Sequence, residues 1–444
     1  MMLSLLALAG IAAASEELQC GLFLVPSTIP GAGRAVVSGL DYAPGEYIET
    51  VPTLTIDKAT VNACQLQSYA FNTGLPDLEM VIFGPGNIYN HHKDRSIEHF
   101  WVSRDLQDPY DFNTSYSTFT KDYWKTTRGV AVGDEIFNYY GGDWFDRFEE
   151  KGDKDEGGDK KATESRIDAQ RMSADDLRWY GHCVTDVEIL PSTLTDVGAG
   201  LFARRDYEAG EVVSISPVLN LPRSVVDGSA NKSMLMNYCY AVEGSEMVLH
   251  PLNYAPLMNH NKDANVQPSW YDWGPAVRGV ASAYNQGRGG DILDLAKTLS
   301  STPQELFSAS FAQLDLAYIA LKPIKTGEEI WVDYGDTWVA AWEKHATATA
   351  AAAADATAAA AASGEGAIVA PAPATASGEG EGVVVPAPAP VPPFRHYMGV
   401  PQGLYPAHWL HPVSTPAAPA PVSATPAPAP PADVPEPAPD RTEL

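Results

Sequence analysis

The chain has 444 residues, 45% of them hydrophobic, and a formal net charge of −27 from 56 acidic and 29 basic residues. That length accommodates two or three domains of ordinary size. A surface so acidic repels a phosphate backbone, which argues against nucleic acid as a partner, and it attracts basic peptides or serves solubility alone. Residues Met1 to Ala14 are apolar, Ala12, Ala13, Ala14 and Ser15 supply small residues for cleavage, and acids follow at Glu16 and Glu17. The stretch falls short of the roughly 20 apolar residues that span a bilayer. It predicts a signal peptide over residues 1–15, no stable membrane anchor, and a place in the secretory pathway, either secreted or in the ER or Golgi lumen.

A first domain is expected over residues 20–150, with strands at Ala35-Val36-Val37 and Tyr47-Ile48-Glu49-Thr50-Val51 between Gly and Pro punctuation. Residues 151–180 read as a charged linker, with a helix through Asp168 to Leu177. A second domain is expected over residues 183–345. Each domain closes with aromatics four apart after a Tyr-Gly: Tyr140, Trp144 and Phe148 in the first, Tyr334, Trp338 and Trp342 in the second. That spacing predicts a short helix whose aromatic face packs into the core. Residues 346–444 are an Ala/Pro-rich tail that cannot bury enough apolar surface to fold and is expected to be disordered or extended. One island in it, Phe394 to Val413, holds Phe394, Tyr397, Tyr405 and Trp409 and is a candidate docking segment. The terminal Arg441-Thr442-Glu443-Leu444 is similar to a degenerate Lys-Asp-Glu-Leu retrieval signal.

Two further features bear on the compartment. Asn113-Thr114-Ser115 and Asn231-Lys232-Ser233 are glycosylation sequons. Cys20, Cys64, Cys183 and Cys239 fall two per domain. Pairing as Cys20–Cys64 and Cys183–Cys239 is one of three possibilities that spacing does not separate, and buried free thiols are another outcome. No CxxC spacing exists to suggest zinc, so no metal is expected.

The chain repeats itself. Pro26-Ser27-Thr28-Ile29 returns as Pro191-Ser192-Thr193-Leu194 at an offset of 165, and Asn90-His91 as Asn259-His260 at 169. Gly133-Asp134-Glu135-Ile136 with Asn138-Tyr139-Tyr140-Gly141 returns as Gly327-Glu328-Glu329-Ile330 with Val332-Asp333-Tyr334-Gly335 at 194. Three landmarks in one order, twice, read as a tandem duplication, with 25 extra residues in the second copy between its last two landmarks.

The landmarks resemble the SET-domain family of S-adenosylmethionine-dependent lysine methyltransferases. The second copy carries all three motifs: Gly198-Ala199-Gly200, then Asn259-His260 with Asn265, then Gly327 through Gly335. The resemblance implies a mainly β (α+β) fold, two tandem SET-like folds of short sheets with a threaded C-terminal segment. It also implies a cofactor site at Gly198, Gly200, Asn259, His260 and Tyr334, with Tyr334 as the catalytic phenol. S-adenosylmethionine would be the cofactor, and a basic protein or peptide presenting lysine the partner. Glycine permits close backbone approach to such a bulky group. The reaction implied is displacement at a sulfonium methyl by a neutral amine, which needs no metal. In the first copy Gly31-Ala32-Gly33, Asn90-His91 and Tyr140 survive, but Ser96 replaces the second asparagine and Tyr139 the aspartate. That copy reads as a degenerate, structural or regulatory partner. The competing reading is a catalytically inactive scaffold that binds basic peptides, favoured by this decay and by the Pro/Ala tail, while a lumenal enzyme would need its methyl donor imported. Oligomeric state and substrate identity are not written in the sequence.

Overall fold

The computed structural model describes residues 20–29, 32–73, 77–102, 121–141, 171–194, 197–228, 234–241, 244–275, 277–278, 293–309, 311–340 and 342–344, with 347, 351, 398–399 and 408. The expected leader, both sequons, the helix at Trp144 and Phe148, and most of the tail lie outside the described residues.

The architecture is mainly β, with a few short helices. Among the described residues the N-terminal unit has nine strands: β1 Leu22–Pro26, β2 Arg34–Ser38, β3 Tyr47–Asp57, β4 Phe71–Asn72, β5 Leu78–Ile82, β6 Asn90–His91, β7 Ile97–Val102, β8 Lys121–Thr126 and β9 Phe137–Asn138. Helix α1, Lys58–Asn62, follows β3, capped by the Asp57 side chain on Thr60 N–H. Helix α2, Ala174–Tyr180, and β10, His182–Cys183, lead to the C-terminal unit. Its strands are β11 Val187–Pro191, β12 Ala199–Ala203, β13 Val212–Pro222, β14 Tyr240–Ala241, β15 Met247–Pro251, β16 Asn259–His260, β17 Val266–Trp270, β18 Leu314–Ala320 and β19 Glu329–Val332. Helix α3, Arg223–Gly228, follows β13, and α4, Leu295–Leu299, and α5, Pro303–Ser308, lie between β17 and β18. A last strand, β20, is Met398–Gly399.

Pairing repeats at single-residue register. Val25 faces Ala35 as Leu190 faces Gly200, Phe71 faces Met80 as Tyr240 faces Leu249, and Asn90 faces Phe137 as Asn259 faces Trp331. Even the irregularity in β3 at Tyr47/Glu49 recurs in β13 at Val212/Ser214. The β17–β18 connection, longer in sequence than β7–β8, carries α4 and α5. In the larger sheet β19 lies between β12 and β17 and also carries β16 in parallel, so the last body strand runs through the middle of the unit.

The units share one interior. Leu54, Ile56 and Val81 of the first pack with Leu219, Leu221 and Val248 of the second. Burying these branched side chains contributes about 1.5–3 kcal/mol each. Strand β13 is buried along nearly its whole length, as expected of a strand covered on both faces. Polar links cross too: the Arg34 guanidinium grips the Asp315 carboxylate through two bonds of 2.6 Å, both groups buried. Gln65 donates to the carbonyls of Leu306 and Ala309 and accepts from Asn220 N–H.

One pairing left open by the sequence is settled, and two expectations need correction. The disulfide is Cys20–Cys183, joining the two units, while Cys64 and Cys239 are buried free thiols. Antiparallel pairing of β1 with β10, Phe23 against Cys183, brings those two cysteines together. The expected helix begins later, at Ala174, because the Ser173 hydroxyl caps Asp176 N–H. Nor is the end of the linker a free spacer: Met172 and Leu177 are buried with Val25, Ala35 and Val37 of the first unit.

Candidate active site

Strand β16 is two residues long, and each of its side chains organises one half of the site. The Asn259 amide nitrogen lies 3.0 Å from Ala199 O, 3.0 Å from Glu329 Oε1 and 3.2 Å from Ser192 Oγ. The same carboxylate accepts from Ser192 Oγ at 2.7 Å, Thr193 N at 2.8 Å and Thr193 Oγ1 at 2.5 Å. Burial opposes ionisation of Glu329, but the bonds from Thr193, Asn259 and Ser192 outweigh it and hold its pKa below the ordinary carboxylate value.

The two glycines behave differently. A Cβ on Gly200 would lie 2.2 Å from Glu329 Oε1 and 3.2 Å from the Asn259 amide nitrogen. A side chain at 200 would have to displace the Glu329 carboxylate, which comes close. Gly198, at φ +82°, has no heavy atom within 4 Å of its Cβ position, so open space adjoins it.

The other half of the site gathers around Tyr334. Its backbone N–H donates to His260 Nδ1 at 3.0 Å, and its O–H donates to Met258 O at 2.5 Å. Accepting at Nδ1 places the proton of neutral His260 on Nε2. Burial lowers the His260 pKa, with Asp333 opposing. Asp333 Oδ1 is 3.6 Å from His260 and instead accepts Gly335 N–H at 2.8 Å. Burial, then Tyr240 and Tyr238, push the Tyr334 phenol far above its ordinary pKa, so it stays neutral. With its proton committed to Met258, its oxygen still has a lone pair for a donor.

Tyr240 and Tyr318, fully buried with ring centroids 6.4 Å apart, complete the group of phenols. Residues 336–340 and 342–344 are helical. Trp338 meets Tyr334 edge-on at 4.8 Å and His260 at 5.1 Å, and Trp342 stacks on it at 5.6 Å. Core packing was expected of both, but Trp342 is 44% exposed. The pair covers His260 and Tyr334 from outside.

Residues 198–335 match the SET domain family. The C-terminal unit contains a SET domain. Similar solved structures include a Plasmodium falciparum protein named as a candidate histone methyltransferase, 19% identical, covering 34% of this chain and 96% of that one, with a TM-score of 0.22. A Chaetomium thermophilum Polycomb Repressive Complex 2 chain is 22% identical over 34% of this chain but only 16% of its own length, with a TM-score of 0.21. No curated protein matches the chain.

Within the SET domain, the structure therefore gathers Gly200, Asn259, His260 and Tyr334 around β16, and sets Gly198 in the turn between β11 and β12. Sequence reasoning missed Glu329, which holds the first half together, although the repeated Pro-Ser-Thr landmark was its signal: those hydroxyls bind it. It also missed Tyr240 and Tyr318, which belong to no motif. Asn265 is structural, donating to Glu329 O at 2.8 Å and accepting Trp331 N–H at 2.7 Å.

The N-terminal unit keeps this framework. Tyr140 N–H donates to His91 Nδ1 at 2.9 Å and its O–H to Tyr89 O at 2.5 Å, while Asn90 binds Arg34 O and Glu135. Ser96 replaces the second asparagine by accepting Phe137 N–H at 2.7 Å. The surroundings of Tyr140 diverge: Phe71 stands where the SET domain has Tyr240, and the fully buried indole of Trp124 where it has Tyr318. Phe71 meets Trp124 edge-on at 5.7 Å.

Proposed function

We propose that the chain is an S-adenosylmethionine-dependent protein lysine N-methyltransferase that works through its C-terminal SET domain. The observation that carries this reading is Tyr334: a neutral, partly buried phenol whose proton is held by Met258 O, beside His260 and two fully buried phenols. Open space at Gly198 and the half-buried Asn259 and His260 suit a bulky cofactor, and Gly198, Asn259, His260 and Tyr334 would hold it. S-adenosylmethionine, when bound, supplies a methyl group on a sulfonium.

The chain's own residues prepare the acceptor. A free lysine amine has a pKa of about 10.4, so neutrality at pH 7 costs roughly 4–5 kcal/mol. Desolvation among Tyr240, Tyr318 and Tyr334 lowers that cost. The Tyr334 oxygen accepts one amine N–H and fixes the direction of the nitrogen lone pair. Trp338 and Trp342 shield the site from water. The acidic body attracts lysine-rich peptides.

For the N-terminal unit we favour a supporting role, because the Trp124 indole fills the position of a phenol. The repeated element order and registers support tandem duplication. The Cys20–Cys183 disulfide and the apolar leader support a secretory-pathway location.

The test is calorimetric titration of the full chain with S-adenosylmethionine, alongside methyl transfer to lysine peptides. Tyr334→Phe should lose about 10- to 100-fold in kcat, the worth of one hydrogen bond made to the reacting amine. Asn259→Ala should weaken cofactor binding. Wild-type protein that gives no binding heat would overturn the reading in favour of a peptide-binding scaffold.

A further inference from the structure

Strand β14 lines the group of phenols with Tyr240 and pairs with β15 on one side only within the body. Its other edge exposes backbone donors and acceptors, which is a template for strand addition. That edge is taken by β20 from the distant tail, in parallel, with Tyr240 facing Met398 and Ala241 facing Gly399. A second point of attachment lies nearby in sequence: His408 Nε2 is 3.3 Å from Ser301 O, in the turn between α4 and α5. Both contacts fall within the aromatic island at 394–413.

Composition explains why this part of the tail docks. A strand needs backbone N–H groups, and residues 394–400 contain no proline, unlike the sequence on either side. The proline-free stretch at 374–385 would serve equally by that criterion, but it carries Glu379 and Glu381 and faces a body of net −21. From residue 382 to 432 there is no acid at all, while Arg395, His396, His408 and His411 all lie in or beside the island. Charge selects the island over its neighbour.

We infer that residues 394–413 are an intramolecular ligand of the C-terminal unit, adding a strand to β14 and excluding other extended peptides from that edge. The docking stands independently of the methyltransferase reading; only its effect on activity rests on that reading. A peptide strand pairing at the same edge would run beside Tyr240 and hence past the phenols, so the tail competes with such a peptide.

The experiment compares the full chain with its Met398→Pro/Gly399→Pro variant, using Ser423→Pro as a control outside the island. Amide exchange over residues 238–243 should speed up at least 10-fold in the double variant and stay unchanged in the control. A labelled synthetic peptide of residues 394–413 should bind the double variant at least 10-fold more tightly than wild type, because the cis occupant no longer competes. Equal exchange and equal peptide binding in the two proteins would overturn the inference. Methylation of lysine peptides should rise in the double variant. If exchange and peptide binding respond while neither protein transfers methyl, the docking holds and the enzyme reading falls.

Discussion

The two units have the same wiring and different contents. In each, an Asn-His strand lies parallel to the last strand, the histidine accepts the N–H of the final tyrosine, and that tyrosine donates to a carbonyl just before the strand. What differs is the packing around the phenol. The C-terminal unit presents Tyr240 and Tyr318, and the N-terminal unit presents Phe71 and Trp124. Backbone hydrogen bonds and short polar braces thus give both units one wiring, around phenols in one and apolar rings in the other. Keeping Tyr140 is explained by its structural bond to Tyr89 O alone. A motif tyrosine is therefore no proof of a working site.

The largest test of this comparison asks whether the units are separable. Arg34 of one and Asp315 of the other form a buried pair, and Trp273 also donates to Asp315 at 2.7 Å. At the equivalent positions stand Ala199 and Lys121, so the pair belongs to the interface and not to the shared wiring. Asp315→Ala strands a buried guanidinium and should cost about 3–5 kcal/mol, and Arg34→Met/Asp315→Leu should recover most of it. Urea unfolding of both should remain a single transition if the shared interior couples the units. Two separated transitions in wild type would refute that coupling.

A smaller effect sharpens the contrast between the two glutamates. Burial pushes Glu135 up to about 7, because Asn90 braces it closely but Ser27 and Thr28 only at 3.2–3.4 Å. Its counterpart Glu329, braced at 2.5–3.0 Å, is lowered. The folded chain therefore binds more protons at Glu135 than the unfolded chain does. Stability fully present below pH 4.5 is lost as pH rises through about 7, by about 3 kcal/mol at 1.36 kcal/mol per unit. Glu49, buried and pushed up to about 8, acts in the same direction. Glu329 acts oppositely, adding stability above the ordinary carboxylate pKa that is lost as pH falls. Glu135→Gln should flatten the alkaline loss between pH 5 and pH 8, whereas Glu329→Gln should cost about 2 kcal/mol at pH 8. Parallel urea profiles for the two variants would sink the assignment of opposite environments.

The sequence carried the site's landmarks because each is a local cluster: Gly-x-Gly, Asn-His and Asp-Tyr-Gly announce themselves within a few residues. It also carried the place of the insertion, as a change in offset. It did not carry Tyr240, Tyr318 or Trp124, since a buried strand aromatic looks the same whether it lines a pocket or fills one. The Arg34–Asp315 pair and the Cys20–Cys183 bridge span 281 and 163 residues, so only the packing of one unit on the other brings them together. Gly200 was read for the right property with the wrong neighbour: close approach is real, but Glu329 is what approaches.

The smallest effect isolates that neighbour. Ser192 and Ser27 occupy the same landmark, yet Ser192 Oγ reaches its carboxylate at 2.7 Å and Ser27 Oγ at 3.2–3.3 Å. A hydroxyl bond to a charged acceptor contributes about 1.5–3 kcal/mol, and a long bond to a carboxyl that is half protonated near neutral pH contributes less. Ser192→Ala should therefore cost about 1–2 kcal/mol at pH 7 and Ser27→Ala under about 1 kcal/mol, read from urea midpoints. Because Ser192 Oγ and the Asn259 amide share the same Glu329 oxygen, loosening it should also weaken S-adenosylmethionine binding in Ser192→Ala and leave it untouched in Ser27→Ala. Equal costs in both variants would mean that the shared wiring, and not its tightening in the C-terminal unit, sets the behaviour of the two carboxylates.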